Sequence, residues 1–279
     1  MADVTERSHA YHAEATVLQG ELTLPLTQNI YPQAQATLPE SGGYLSQHAQ
    51  DFKLEGVVSF HTAYTQVGGN PDEKPGHGWT TLATSVIEGL NILDIVTADR
   101  VVAQISTEHP LIGHVPTISF LGTRFENLRI AGHLVKLHLD PDILGKKPEG
   151  DAPYTRDPGF RSRVASQYKL LRKHPDTLSE AFERYNQVPA DTEDAETVEC
   201  SLVNQAEGSY PGNSYGHVIH VPNFGTIYLA TLRLEHEQIQ QGTPHRTTVH
   251  LKMVEAKMGC LAAGSVSAAS TKTNGHSYP

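Results

Sequence analysis

This sequence is short of the residues that redox, metal-cluster and membrane functions rely on. It has two cysteines, Cys200 and Cys260, in 279 residues, and no cysteine cluster suited to zinc or iron–sulfur chemistry. A Cys200–Cys260 bridge would contribute roughly 4 kcal/mol through chain entropy; two buried thiols are the plainer expectation. No apolar run approaches the ~18–20 residues of a bilayer-spanning helix, so no membrane span is expected. The glycine loops Gly-x-Gly-x-x-Gly and Gly-x-x-x-x-Gly-Lys are missing. No nucleotide cofactor is therefore expected. Basic residues are outnumbered, 21 against 31 acidic, for a net charge of -10, which argues against nucleic acid as a partner. The first residues lack the basic and apolar regions of a signal peptide. The expectation is a cytoplasmic protein, or a secreted one whose leader has been removed.

What is present is a strand pattern. Trp79 to Ile87, Leu90 to Ile95, Ala98 to Ser106, Thr117 to Leu121 and Leu128 to Leu139 are short runs rich in Val, Ile, Leu and Thr, punctuated by glycine and aspartate. Ala10 to Thr23 reads as an opening strand, 25–50 as an irregular connection, and Phe52 to Tyr64 as one strand with a single apolar parity. Gly68 to Gly78 reads as a loop. Thr226 to Glu235 and Arg246 to Glu255 form a long hairpin, and Ala262 to Ala269 a closing strand.

One segment has helical spacing. Asp157-Pro158 is a cap followed by proline at the first helical position, with Phe160, Val164, Tyr168 and Leu171 on one face. Thr177 to Glu180 has capping-box form, and Leu178, Ala181, Phe182 and Tyr185 make a second stripe. The predicted architecture is mainly β: an antiparallel sandwich or barrel with an α-helical hairpin inserted at about 157–187, all within a single β domain spanning 1–279.

Leu82-Ala83-Thr84-Ser85-Val86 through Asp94-Ile95-Val96-Thr97-Ala98-Asp99-Arg100-Val101-Val102-Ala103 resembles the bacterial surface proteins called choice-of-anchor P. Ile118-Ser119-Phe120-Leu121-Gly122, Val221-Pro222-Asn223-Phe224-Gly225 and Ala262-Ala263-Gly264-Ser265-Val266 follow in the same order. The likeness covers about half the chain, in strands only, and the helical insertion is foreign to that family. It implies a secreted or surface-exposed β protein and carries no catalytic residues across.

Three groups of residues are candidates for chemistry. Asp99, Arg100, Glu108, His109, Arg124 and Glu126 lie at the ends of predicted strands. If they converge at one rim they form an acid–base set; the competing account is turn caps and cross-strand ion pairs. The chain has 16 histidines, of which His217, His220 and His250 are candidate ligands for a divalent metal, though His217 and His220 fall on opposite faces of any strand. His77 and Trp79, flanked by glycines, are candidates to line a ligand site.

The leading functional reading is a β-scaffold that binds a small-molecule or protein ligand, or self-assembles as a homo-oligomer. A cofactor-free acid–base enzyme using a cavity in a β-barrel comes second, and a histidine-ligated, metal-dependent enzyme third.

Overall fold

β-Branched and hydroxyl residues fill the long strands, and tight turns separate them, so hairpins form between sequence neighbours. The computed structural model describes residues 8–54, 56–71, 78–173, 179–186, 196–238, 245–259 and 262–278. The chain begins with β1 (Ser8–Ala10), β2 (Ala13–Leu24), β3 (Gln28–Gln33), β4 (Ala36–Thr37), β5 (Gly43–Leu54), β6 (Val58–Pro71), β7 (Trp79–Ile92) and β8 (Val96–His109). Short strands follow: β9 (Thr117–Ser119), β10 (Arg124–Glu126), β11 (Arg129–Ile130), β12 (His133–Leu134) and β13 (Lys136–Leu139). The helices α1 (Pro158–Leu171) and α2 (Ser179–Asn186) come next. They lead into β14 (Thr197–Ser201), β15 (Val203–Glu207), β16 (Asn213–Tyr215), β17 (Val218–Val221), β18 (Gly225–Gln238), β19 (His245–Gly259), β20 (Ala263–Thr273) and β21 (His276–Tyr278).

Two antiparallel sheets form a sandwich. Sheet I runs β16-β17-β18-β19-β20-β2-β3, with β14 on β18 and β4 on β2; sheet II runs β12-β11-β8-β7-β6-β5, with β9 and β10 on β8. β2 and β20 lie against β6, β7 and β8, and the core fills the space between. Among the described residues both sheets keep open edges, so the architecture is the sandwich and not the barrel of the two sequence expectations.

The helical insertion forms as the spacing predicts. The Asp157 carboxylate accepts the Phe160 backbone N–H at 2.6 Å, and Phe160, Val164, Tyr168 and Leu171 are buried. Thr177 and Leu178 of the expected capping box lie outside the described residues. Phe160, Val164, Tyr168 and Leu171 of α1 and Ala181 and Tyr185 of α2 join the same buried cluster as the strands of sheet I.

Several strand limits differ from expectation. Residues 25–50 hold β3, β4 and most of β5, because exposed edge strands carry polar residues that read as loop. Phe52 and Phe60 belong to two strands and are direct partners across the β5–β6 turn, with rings stacked at 5.3 Å. Gly68 to Pro71 continue β6, and the expected Leu128–Leu139 strand divides among β11, β12 and β13, the last in a separate ribbon with β15.

A crease crosses each sheet. In sheet II the register aligns Asp51, His61, Gly89, Asp99 and Asn127 in one row, and Asp51 (φ 51), Gly89 (φ 68) and Asn127 (φ 52), on every second strand, are left-handed. In sheet I the row is Ala34, Val17, Ala269, Met253 and Ala230, with Ala34 (φ 45), Ala269 (φ 51) and Ala230 (φ 45) left-handed. Core-facing parity changes at each row: β7 buries Ile87 before its crease and Leu90 after it, and β8 buries Ala98 and then Val101.

Candidate functional site

The outer face of sheet II holds most of the charged residues singled out from sequence. Beyond the crease, its rows are set by direct cross-strand partners: Gln50–Thr62–Glu88–Arg100–Glu126, His48–Tyr64–Val86–Val102–Arg124, and Ser46–Gln66–Thr84–Gln104. Arg100 donates to the Tyr64 hydroxyl at 3.0 Å and lies 3.5 Å from the Glu88 carboxylate. Arg124 bonds Glu126 at 2.8 Å, and Asp99 accepts from the Asn127 amide at 2.7 Å. Asp99, Arg100, Arg124 and Glu126 therefore gather at one end of β8. Glu108 and His109 lie eight or more residues further along that strand, roughly 26 Å at 3.3 Å per residue, so the six do not converge.

His109 is on the core side, and it meets another candidate there. It is the register partner of Trp79, and the His9 ring sits 5.1 Å from Trp79, nearly parallel, and 4.6 Å from His109. Burial first, and then His9, lower the His109 pKa to about 3; burial and His276 lower that of His9 to about 4. Tyr11 completes this plug at 4.7 Å from His9. His77 lies outside the described residues.

The metal set does not assemble. His217 is buried at the β16–β17 turn, and its Nε2 lies 2.5 Å from the Tyr185 hydroxyl. His220 pairs with Asn213 and Thr226 on β17, and His250 on β19 bonds the Ser270 hydroxyl at 2.8 Å. Among the described residues no group of three or more His, Cys, Asp or Glu side chains is placed to hold a metal ion. The expected histidine trio does not gather: His217 bonds Tyr185, His250 bonds Ser270, and His220 stands on β17 with no hydrogen-bond partner for its Nδ1 among the described residues. Cys200 is a buried free cysteine whose thiol burial pushes up; Cys260 lies outside the described residues.

The densest polar cluster, missed from sequence, lies where α2 rests on sheet I. Arg184 bonds Glu199 of β14 at 2.6 Å through Nε and Glu255 of β19 at 3.0 Å, and its guanidinium stands 4.5 Å over the Tyr228 ring. Burial works to raise the Glu255 pKa, but Arg184 and Lys252 outweigh it and hold the carboxyl below the usual range. Tyr185 is fully buried, which raises its hydroxyl pKa well above 10, so it keeps its proton where it hydrogen-bonds His217. Beside this node is a cleft of about 380 Å³ that also takes in Glu180, Glu183, Arg233, His250, Lys252 and Lys257. The one available signal was Glu199, a charge inside the buried run Val198-Glu199-Cys200.

Fold and sites together define an open antiparallel β-sandwich with a helical cover on one sheet and charges largely answered by one another. The chain belongs to the family described as Domain of unknown function (DUF8256), whose model matches residues 9–235. No curated protein matches it. Among the described residues no helix is long and apolar enough to cross a membrane.

Proposed function

We propose that this chain is a binding scaffold that presents the outer face of sheet II to an extended, hydroxyl-rich ligand such as a polysaccharide strand, and that it works as a homo-oligomer. The observation that carries this reading is the in-register array on that face. The amide groups of Gln66 and Gln104 and the phenol of Tyr64 stand on neighbouring rows of strands that neither helix overlies. Such rows offer repeated donors and acceptors at strand spacing, and Tyr44, 68% exposed, adds an aromatic surface. A surface location accords with the resemblance to choice-of-anchor P proteins. The test is electrophoresis of the full chain through gels cast with soluble polysaccharides. Retardation that is lost in a Tyr64→Ala, Gln104→Ala double variant with unchanged circular dichroism supports the reading; equal mobility in every gel overturns it.

A cofactor-free acid–base enzyme is the second reading. The cleft beside α2 favours it, because Glu183, His250 and Lys252 share that space. Hydrolytic activity abolished by Glu183→Gln would support it.

A further inference from the structure

β5 ends sheet II, and among the described residues its outer edge has no strand beside it. Over its first eight residues, Gly43 to Gln50, it is also an unprotected edge. Sequences usually blunt such edges with charge, proline or brevity. β3, the edge of sheet I on the same side, has six residues and contains Pro32, whereas β5 has twelve. From Gly43 to Gln50 it carries no Asp, Glu, Lys, Arg or Pro, in a chain of net charge -10.

We propose that β5 is a dimer interface, and that two copies of this chain pair their β5 strands antiparallel about a twofold axis, joining both copies of sheet II into one continuous sheet. The strand is self-complementary in that register. An axis at Gln47 sets Leu45 of one copy opposite Ala49 of the other, Ser46 opposite His48, and Tyr44 opposite Gln50. No like charges meet, and the twofold closes the assembly, so neither copy keeps this edge open. Burial supports the same occupant. Leu45 and Ala49 pair with the buried Val67 and Ala63, so they point to the core side of the sheet. Leu45 is nonetheless 37% exposed because the sheet stops there. A second β5 supplies the missing neighbour and extends the core across the axis. Asp51, left-handed at the crease, ends the flat part of the edge.

The inference rests on the homo-oligomer part of the proposed function and does not depend on what the outer face binds. Its test is the mass of the full chain by light scattering after gel filtration over a wide concentration range, for wild type and for Gln47→Lys, which places two lysines face to face at the axis. The expected result is a dimer of the 30.4 kDa chain that becomes monomeric in the variant with unchanged circular dichroism. A second variant covers a folding defect. Gln47→Cys in a Cys260→Ser background should form an intermolecular disulfide on mild oxidation, since directly opposed strand residues lie within bridging distance. Gln66→Cys, one strand inward, should not. A wild type that stays monomeric at every concentration, a dimer that persists in Gln47→Lys, or the absence of the Gln47→Cys bridge overturns the proposal.

Discussion

Acidification should unfold this protein early, and the buried histidines set how early. His217 and His109 are both held to a pKa of about 3, by burial first, with Arg184 adding to the shift at His217 and His9 at His109. In the unfolded chain each titrates near 6.5. A depressed histidine binds its proton more readily in the unfolded state, so the native state is favoured fully above pH 6.5 and loses that advantage as pH falls from there toward 3. Between pH 7 and pH 5 the loss is about 2 kcal/mol for each histidine, or about 4 kcal/mol for the pair, a large part of a typical domain's stability. At His217 the cause is visible. The ring is fully buried against the Tyr185 hydroxyl, so a positive charge on it would be desolvated and repelled by Arg184. The assay is urea unfolding from pH 7.5 to 5, followed by circular dichroism, with the unfolding free energy plotted against pH. His217→Gln keeps an acceptor and removes the titration. Its packing cost moves the whole curve, while its slope near pH 5 should be shallower by about 1.3 kcal/mol per pH unit. Equal slopes for variant and wild type would refute the reasoning.

Other perturbations follow from the same contacts. Arg184→Met strands two buried carboxylates and should cost about 3–5 kcal/mol in urea unfolding, most of it recovered when Glu199→Gln and Glu255→Gln are added. Gly89→Ala forces a left-handed alanine whose Cβ would run into the His61 ring at Nδ1. It should lose about 1–2 kcal/mol, whereas Gly68→Ala, with no neighbour nearer than 3.8 Å, should stay near wild type. Asp157→Ala removes the cap of α1 and should cost about 1 kcal/mol by thermal melting.

Sequence periodicity was a good guide wherever one rule held along an element. The α1 face from Phe160 to Leu171 and its Asp157-Pro158 start are local features, and both hold in the structure. The long C-terminal hairpin was legible because Val249 and Leu251 alternate with His250, and that alternation holds up to the crease. The first central strand was cut at Gly89 for a physical reason: that residue sits on the sheet II crease, where apolar parity changes without the strand ending. Register also explains the split of the charged set. Arg100 and Glu126 are partners because β10 folds back on β8, and nothing local places Glu108 and His109 at the far end of that strand. The Arg184–Glu199–Glu255 node was illegible because its three members come from α2, β14 and β19, which only tertiary packing brings together.

The creases also account for the polar face on which the functional reading rests. A straight fourteen-residue strand keeps one parity, so β7 could bury Ile87 or Leu90 on the core side, but not both. With a left-handed residue on alternate strands, the whole sheet shifts phase together, and both ends of β6, β7 and β8 meet the core while their pairing register is kept. On the opposite surface the same shift turns Glu88 and Arg100 outward directly beside the crease, with the Asp99–Asn127 bond set in the crease row itself. Glycine, aspartate and asparagine are the residues that adopt this conformation at least cost, and sheet II uses one of each. Sheet I uses alanines instead, two of them, Ala230 and Ala269, in the buried core, where a bare methyl still fills space that glycine would leave open. The choice of residue at each crease thus follows from what lies over it: solvent and polar side chains on sheet II, packed core on sheet I.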